Sequence, residues 1–274
     1  MGNRNLLRHG ILVIFLVLFL FPVMWVVLTS LKTNQEALTN PTQLLPASLQ
    51  WQNYPDVITK LNFWRELANT LIMTISVTVG QIVLAALAGY AFARLPFKGR
   101  DLLFVVVLAT LIIPFEILFV PLFLMLSKWN WLNTFQALII PSLASPFAIF
   151  VFRQFFITLP RELEEAATID GAGYYRTFFS VALPLAGPAI ATVFILTFMG
   201  EWSNLLKPLV FNTSADMYTL QQGLAVTLNR GANLNPDIAF QMTGVVLTCI
   251  VPVAMFIIGQ RWFVKSIATS GIKG

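Results

Sequence analysis

Charge is scarce in this 274-residue chain, with 11% Asp, Glu, Lys and Arg against 57% hydrophobic residues. Soluble domains carry about 25% charged residues, so the balance excludes an ordinary soluble fold and indicates a polytopic membrane protein. Histidine occurs once, at His9, which argues against histidine-dependent nucleophilic catalysis and rules out a multi-histidine metal site. The one cysteine, Cys249, can form neither an internal disulfide nor a cysteine-based metal site, and its apolar surroundings suggest a small buried core residue. No GxxxxGK[ST] phosphate loop is present. The chain is therefore not expected to be an enzyme or to bind a cofactor or metal. A formal charge of +5 is modest, and its basic residues sit in short clusters between apolar runs. That distribution is a topology signal, not a nucleic-acid surface, so no nucleic-acid partner is expected.

What the chain has in abundance is long apolar runs, and about 20 such residues suffice for one helical crossing. Six are expected to be transmembrane helices: 10–31, 67–93, 102–126, 135–152, 183–206 and 238–260. The first follows Arg4 and Arg8 and has no small-residue cleavage site at Lys32-Thr33-Asn34, so it reads as a retained span with Pro22 as a tolerated kink. The second presents Ala85, Ala86, Ala88 and Gly89 as a small-residue packing face, while Asn69 and Gln81 are placed to bond across helices. The third contains Pro114 and Glu116, and a carboxylate inside a span should face protein or a wet cavity. Pro141 and Pro146 predict a broken fourth span, which Arg153 returns to the inner side.

Residues 33–66 read as an external segment along the interface, 127–134 as a short external turn, and 207–237 as a second external segment with an exposed loop around 229–236. In this topology both termini are cytoplasmic. Eleven of the 17 basic residues then fall inside, including Arg94, Lys98, Arg100, Arg261, Lys265 and Lys273. Lys32, Lys60, Arg65, Lys128, Lys207 and Arg230 fall outside, although the external loops are longer. The chain divides in this reading into 1–66, a first span plus external segment, and 67–274, a permease-like domain of five spans.

The stretch from Leu159 to Pro188 mixes charge, small residues and helix punctuation unlike any other. Pro160 suits a first helical position, Glu162, Glu164 and Glu165 favour the positive end of the helix dipole, and Gly171 supplies a stop. From Pro160 to Asp170 that helix is about 16 Å long, too short and too charged to span a membrane, so it should lie beside one. Leu163, Ala166, Ala167 and Asp170 share one face, which lets another surface come close. A surface helix that merely links two spans would carry the same signs. The wording Glu165-Ala166-Ala167-x-x-Asp170-Gly171-Ala172, followed by Phe178, Phe179 and Leu183-Pro184-Leu185, closely resembles the EAA loop. That loop is the signature of permease subunits of bacterial binding-protein-dependent ABC importers. Together with the ending QRWFVKSIATSGIKG, it is most similar to the carbohydrate-uptake branch, of the kind of the second permease of maltose-type systems.

The resemblance implies an all-α permease in the bacterial cytoplasmic membrane, six spans in all, with a cytoplasmic EAA coupling helix between spans 4 and 5. It implies two copies of an ATP-binding subunit that hold ATP and magnesium, a second homologous permease, and an extracytoplasmic solute-binding protein, all in membrane lipid. Glu162, Glu165, Ala166, Ala167, Asp170, Gly171 and Ala172 would then couple to the ATPase, with Arg161 and Glu164 helping to hold register. For the solute path the candidates are Glu116, Glu201, Trp202 and Asn204, an aromatic face for a sugar ring and polar groups for hydroxyls. Glu201 and Asn204 could equally sit at the outer interface, bonded to water or lipid heads. Sugars, sugar alcohols, glycosides and glycerol-phosphate-like compounds all fit. An ion-coupled secondary transporter is the alternative, but it should show more intramembrane ionisable groups and an inverted repeat.

Overall fold

The computed structural model describes residues 2–230 and 237–270. Lys273 and most of the expected loop at 229–236 lie outside the described residues, as do the side chains of Arg4, Arg230, Arg261 and Lys265. In chain order the helices are α1 (Gly2–Ser30), α2 (Asn34–Thr39), α3 (Asn53–Lys60), α4 (Phe63–Arg94), α5 (Arg100–Ala109), α6 (Phe119–Lys128), α7 (Phe135–Ile139) and α8 (Pro146–Thr158). They continue with α9 (Glu162–Ile169), α10 (Tyr174–Thr177), α11 (Leu183–Leu185), α12 (Gly187–Trp202), α13 (Leu206–Phe211), α14 (Leu220–Arg230) and α15 (Ile238–Ser270). No strand occurs among the described residues, so the chain is all-α.

Three helices are continuous spans by length and composition: 8–30, 63–94 and 238–259. The other three runs are bent pairs, 100–112 with 115–128 at 86°, 135–142 with 146–158 at 43°, and 174–185 with 187–202 at 73°. Taking each pair as one span gives the six expected. Proline explains the first two breaks, because it lacks an N–H and disfavours helix in the residue before it. Ile113 and Pro114 turn extended, with ψ of 110° and 135°. Ser145 is extended before Pro146, and its hydroxyl accepts the Ala148 N–H at 3.2 Å to cap α8.

The chain forms two compact units. One comprises residues 1–67 and 220–255. Its core gathers Val57, Leu61, Leu224 and Phe240. The polar 33–66 segment is folded: Asn53 Nδ2 donates to the Ser30 and Lys32 carbonyls at 2.8 and 2.9 Å, satisfying the end of α1. Lys32, expected as an external cation, is buried and donates to the Gln43 carbonyl. Glu66 is buried as well, above Gly223, where a Cβ would sit 2.1 Å from Oε2. Cys249 is exposed, contrary to the expected core position. An apolar residue on a spanning helix satisfies the hydrophobic effect by facing lipid, so hydropathy alone does not place it inside.

The other unit comprises residues 68–219 and 256–274. Ala85, Ala86 and Tyr90 pack with Phe152, Phe156, Phe178 and Ala182 in its larger cluster. Gly89 is the point of closest approach: a Cβ there would lie 2.6 Å from Phe152 Cβ and 2.8 Å from the Arg153 backbone nitrogen. The small-residue face of α4 therefore holds α8. Asn69 Nδ2 donates to the Asp216 and Tyr218 carbonyls at 2.8 and 3.0 Å. α8 runs past the expected end of the fourth run to Thr158, and within it the Arg153 guanidinium lies 4.0 Å over the Phe104 ring and 3.9 Å from Asp101. The fifth run also differs, since helix begins at Tyr174, passes through a π stretch at Phe178–Ala182, and ends at Trp202.

Candidate functional site

Two places concentrate the polar residues of the second unit. The first is α9, which starts at Glu162 and not at Pro160. Leu159 is extended with ψ 137°, as a residue before proline prefers, and the first helical carbonyl in use is that of Arg161, which accepts from Glu164 and Glu165 N–H at 2.9 and 3.0 Å. Its eight residues make a rod of about 12 Å. The exit matches expectation. Gly171 has φ +78°, its N–H donates to the Thr168 carbonyl at 3.0 Å, and the Ala172 N–H donates to the Ala167 carbonyl at 2.9 Å. These are the paired bonds of a Schellman stop, which a left-handed glycine permits.

No residue of α9 is buried. Ile169 is 86% exposed, Tyr175 just beyond is 81% exposed, and Leu163, Tyr174 and Phe179 are exposed too. Glu162, Glu165, Ala166, Asp170 and Gly171 face outward with them, while Ala167 and Ala172 are half-buried. Glu164 is the exception among the acids, because it turns back to its own chain. Its carboxylate forms an ion pair with Arg94 Nε at 3.3 Å, at an angle short of a hydrogen bond. The same guanidinium donates to the Phe156 carbonyl at 2.6 Å and to the Leu159 carbonyl. Glu164 is thus an internal anchor and not part of the outward face.

The second place lies where the broken spans meet. Gln81 Nε2 donates to the Ser142 carbonyl at 2.6 Å, an acceptor at the break of the fourth span, and Gln81 Oε1 accepts from Thr197 Oγ1 at 2.9 Å. The Ser142 hydroxyl receives Lys207 Nζ at 2.9 Å, and Glu201 Oε2 receives the same ammonium at 2.5 Å. Lys207 is 0% exposed, so its ammonium is held within the protein. Burial pushes its pKa down while Glu201 opposes that shift.

Of the expected solute-path residues, Glu201 is the buried lysine's counter-ion and Asn204 accepts the Lys207 backbone N–H through Oδ1 at 3.1 Å. Both residues thus have partners within the chain, and both keep some exposed surface. Trp202 is 4% exposed with its ring stacked on Phe198 at 5.9 Å and 8°, so its face is not offered to a sugar here. Glu116 is exposed on the 3₁₀ turn Phe115–Leu118 that follows the 86° break. Arg94 and Lys207 were not singled out from sequence as site residues. Their signals were faint: a basic residue one turn after Tyr90 at a helix end, and a lone lysine between Leu206 and Pro208.

Residues 81–269 match the family model described as binding-protein-dependent transport system inner membrane component. The chain is 38% identical over 257 residues to the arabinooligosaccharides transport system permease protein AraQ of Halalkalibacterium halodurans, covering 93% of this chain and 91% of that protein. It is 34% identical to the diacetylchitobiose uptake system permease protein NgcG of Streptomyces coelicolor, over 96% of this chain and 87% of the relative. It is also 34% identical to the sn-glycerol-3-phosphate transport system permease protein UgpE of Yersinia enterocolitica, over 96% and 95%. In fold it superposes on a chain from the crystal structure of a bacterial ABC transporter that imports the acidic polysaccharide alginate, with a TM-score of 0.81, 22% identity, and coverage of 94% and 96%. The broken spans, the outward-facing α9 and these relationships converge: the chain belongs to the family of binding-protein-dependent transport system inner membrane components and is a multi-pass permease subunit of an ATP-driven ABC importer.

Proposed function

We propose that this permease forms half of the translocation path for a sugar or sugar-like solute handed over by an extracytoplasmic binding protein. A second, homologous permease supplies the other half, and two ATP-binding subunits hold the ATP and magnesium. Support for the solute class comes from relatives named for arabinooligosaccharides, diacetylchitobiose and sn-glycerol 3-phosphate. All three are small and rich in hydroxyl groups. Both termini are cytoplasmic in this reading, residues 67–274 form the permease domain, and 1–66 precede it.

The observation that carries the proposal is the outward face of α9, in which no residue is buried and Ile169 stands fully in the open. An apolar side chain so exposed beside Glu162, Glu165 and Asp170 fits a groove with apolar depth and a polar rim on the ATPase. Ala166, Ala167 and Ala172 let that groove close over the helix, and Gly171 sets the exit. ATP then biases an equilibrium between inward- and outward-open states through its different affinity for the two.

For the solute path the proposal assigns Glu116 and Asn204 as the contacting groups. Glu116 is exposed at a proline break, a setting suited to a wet cavity and not to lipid. Asn204 uses its oxygen within the chain and has an amide donor for a hydroxyl. Glu201, 13% exposed, edges the same region, with Trp202 packed behind.

Ala166→Trp tests the docking surface. Ala166 is exposed while Ala167 is half-buried, so a large side chain at Ala166 leaves the permease fold alone and overpacks only an external interface. The variant should insert and pair in the membrane yet lose the co-purifying ATPase and all uptake. Retention of the ATPase near parental levels would show that this face is not where the partner binds. The solute class is read separately from uptake by cells given labelled arabino-oligosaccharide, diacetylchitobiose or glycerol 3-phosphate.

A further inference from the structure

The chain turns on both sides of α9. Leu159 to Arg161 joins it to α8 with an extended Leu159, and the exit runs through left-handed Gly171 to extended Gly173 with ψ 171°. Neither turn continues the helix into its neighbours, so the angle of this short rod to the spanning helices also depends on side-chain contacts. The side chains that do so come from the last two turns of α4. Arg94, its final residue, has a side chain 7% exposed and reaches three groups at once: the Phe156 and Leu159 carbonyls at the end of α8, and Glu164 in α9. Both carbonyls lie at the negative end of the α8 dipole, and that of Phe156 also accepts the Leu159 N–H at 3.3 Å. A planar guanidinium with five N–H groups serves several acceptors in one orientation, which a lysine ammonium on a flexible stem does not reproduce.

Tyr90, one turn earlier, is buried with ring centroids 5.4 Å from Phe156 and 5.1 Å from Phe178. These phenylalanines flank α9 on its two sides in sequence. Gly89 seats the same end of α4 against the backbone at Arg153. One helix end therefore grips the approach to α9, α9 itself and the return from it.

We infer that Arg94 is the positioning residue through which movement of α9 is passed to the membrane-spanning α4, its grip on the Phe156 and Leu159 carbonyls and on Glu164 tying together two helices that the backbone does not join directly. The inference rests on the docking role proposed for α9. Without Arg94 the rod stays attached to the ATPase but loses its tie to α4, so ATP is hydrolysed with less solute moved.

The experiment compares the parent with Arg94→Ala, Arg94→Lys and Glu164→Gln in the assembled transporter with its ATPase and binding protein, reconstituted in vesicles. Labelled arabino-oligosaccharide, diacetylchitobiose and glycerol 3-phosphate are supplied together as probes. Co-purifying ATPase, ATP hydrolysis and solute taken up per ATP are measured. Arg94→Ala should keep the ATPase and its hydrolysis while solute per ATP falls about tenfold, the size of a modest coupling between sites. Arg94→Lys, which keeps the charge but not the fork, should fall between Arg94→Ala and the parent. Glu164→Gln, nearly isosteric and the mildest change to folding, should lower the same ratio. An unchanged ratio in Arg94→Ala and Glu164→Gln would overturn the inference. So would loss of the ATPase from both, because Arg94 would then only hold α9 in a docking shape; that outcome leaves the docking face itself standing, whereas retention of the ATPase by Ala166→Trp removes it.

Discussion

Replacing Lys207 by methionine should be among the most damaging single changes in the chain. Its ammonium has no exposure, and it bonds Glu201 Oε2 at 2.5 Å and Ser142 Oγ at 2.9 Å. Methionine nearly conserves volume, so the loss is electrostatic: the Glu201 carboxylate, 13% exposed, stays in place without its partner. Removing one member of a buried pair costs about 3–5 kcal/mol, and the residual exposure of Glu201 puts this case at the lower end. Glu201→Gln should cost less, about 1–3 kcal/mol, because the amide oxygen still accepts a hydrogen bond from the ammonium. The double variant Glu201→Gln/Lys207→Met removes both charges and should recover most of the loss. Unfolding midpoints of the purified permease complex in mixed detergent, taken around this double-mutant cycle, give the coupling energy. Single variants within about 1 kcal/mol of the parent, with additive effects, would refute the view that this pair stabilises the broken spans. Uptake adds a second reading. If the double variant regains stability and transport together, Glu201 serves as a counter-ion; if stability returns without transport, Glu201 also touches solute.

Gly171→Ala should cost about 1–2 kcal/mol through its left-handed φ alone, since open space surrounds the added Cβ, and Gly171→Asn should cost less; uptake and ATPase retention rank the two. Gly89→Val drives a branched side chain into the backbone at Arg153, so α4 and α8 must separate, and the variant's level in the membrane should fall sharply. Gly223→Ala places a methyl where the Glu66 carboxyl lies, and a lowered unfolding midpoint, restored in part by Gly223→Ala/Glu66→Ala, is the expected outcome.

Composition and the apolar runs made the all-α, multi-pass architecture legible, because an apolar run of about 20 residues has few alternatives to a spanning helix. Pro141 and Pro146 marked the broken fourth span, whereas the 86° break at Pro114 was not anticipated. The bend before Gly187 was missed, since Tyr174 to Ala182 carries no long apolar run and was read as part of the loop. The stop at Gly171 was legible because the requirement for positive φ is local. The start of α9 was not, because Pro160 suits a first helical position as well as the turn before one.

The remaining corrections share a cause. Lys32 and Lys207 were read only as topology markers and not as buried donors, Cys249 was placed inside as core, and Glu164 on the docking face, each from the character of the residue alone. In a bilayer the link between polarity and exposure breaks: apolar side chains face lipid, and polar ones turn inward to meet backbone groups freed at helix breaks and ends. Ser142, at one break, and Phe156 and Leu159, at one helix end, offer carbonyls that Gln81 and Arg94 take up. A carbonyl freed at a break must find a donor within the chain, because lipid supplies none. A long polar side chain on the neighbouring continuous helix is placed to supply it, as α4 does near its middle at Gln81; at its end, Arg94 serves the carbonyls where α8 leaves for α9. The straight helix thereby fixes the bent ones, and the Arg94 experiment asks whether the same bonds that complete the fold also carry its movement.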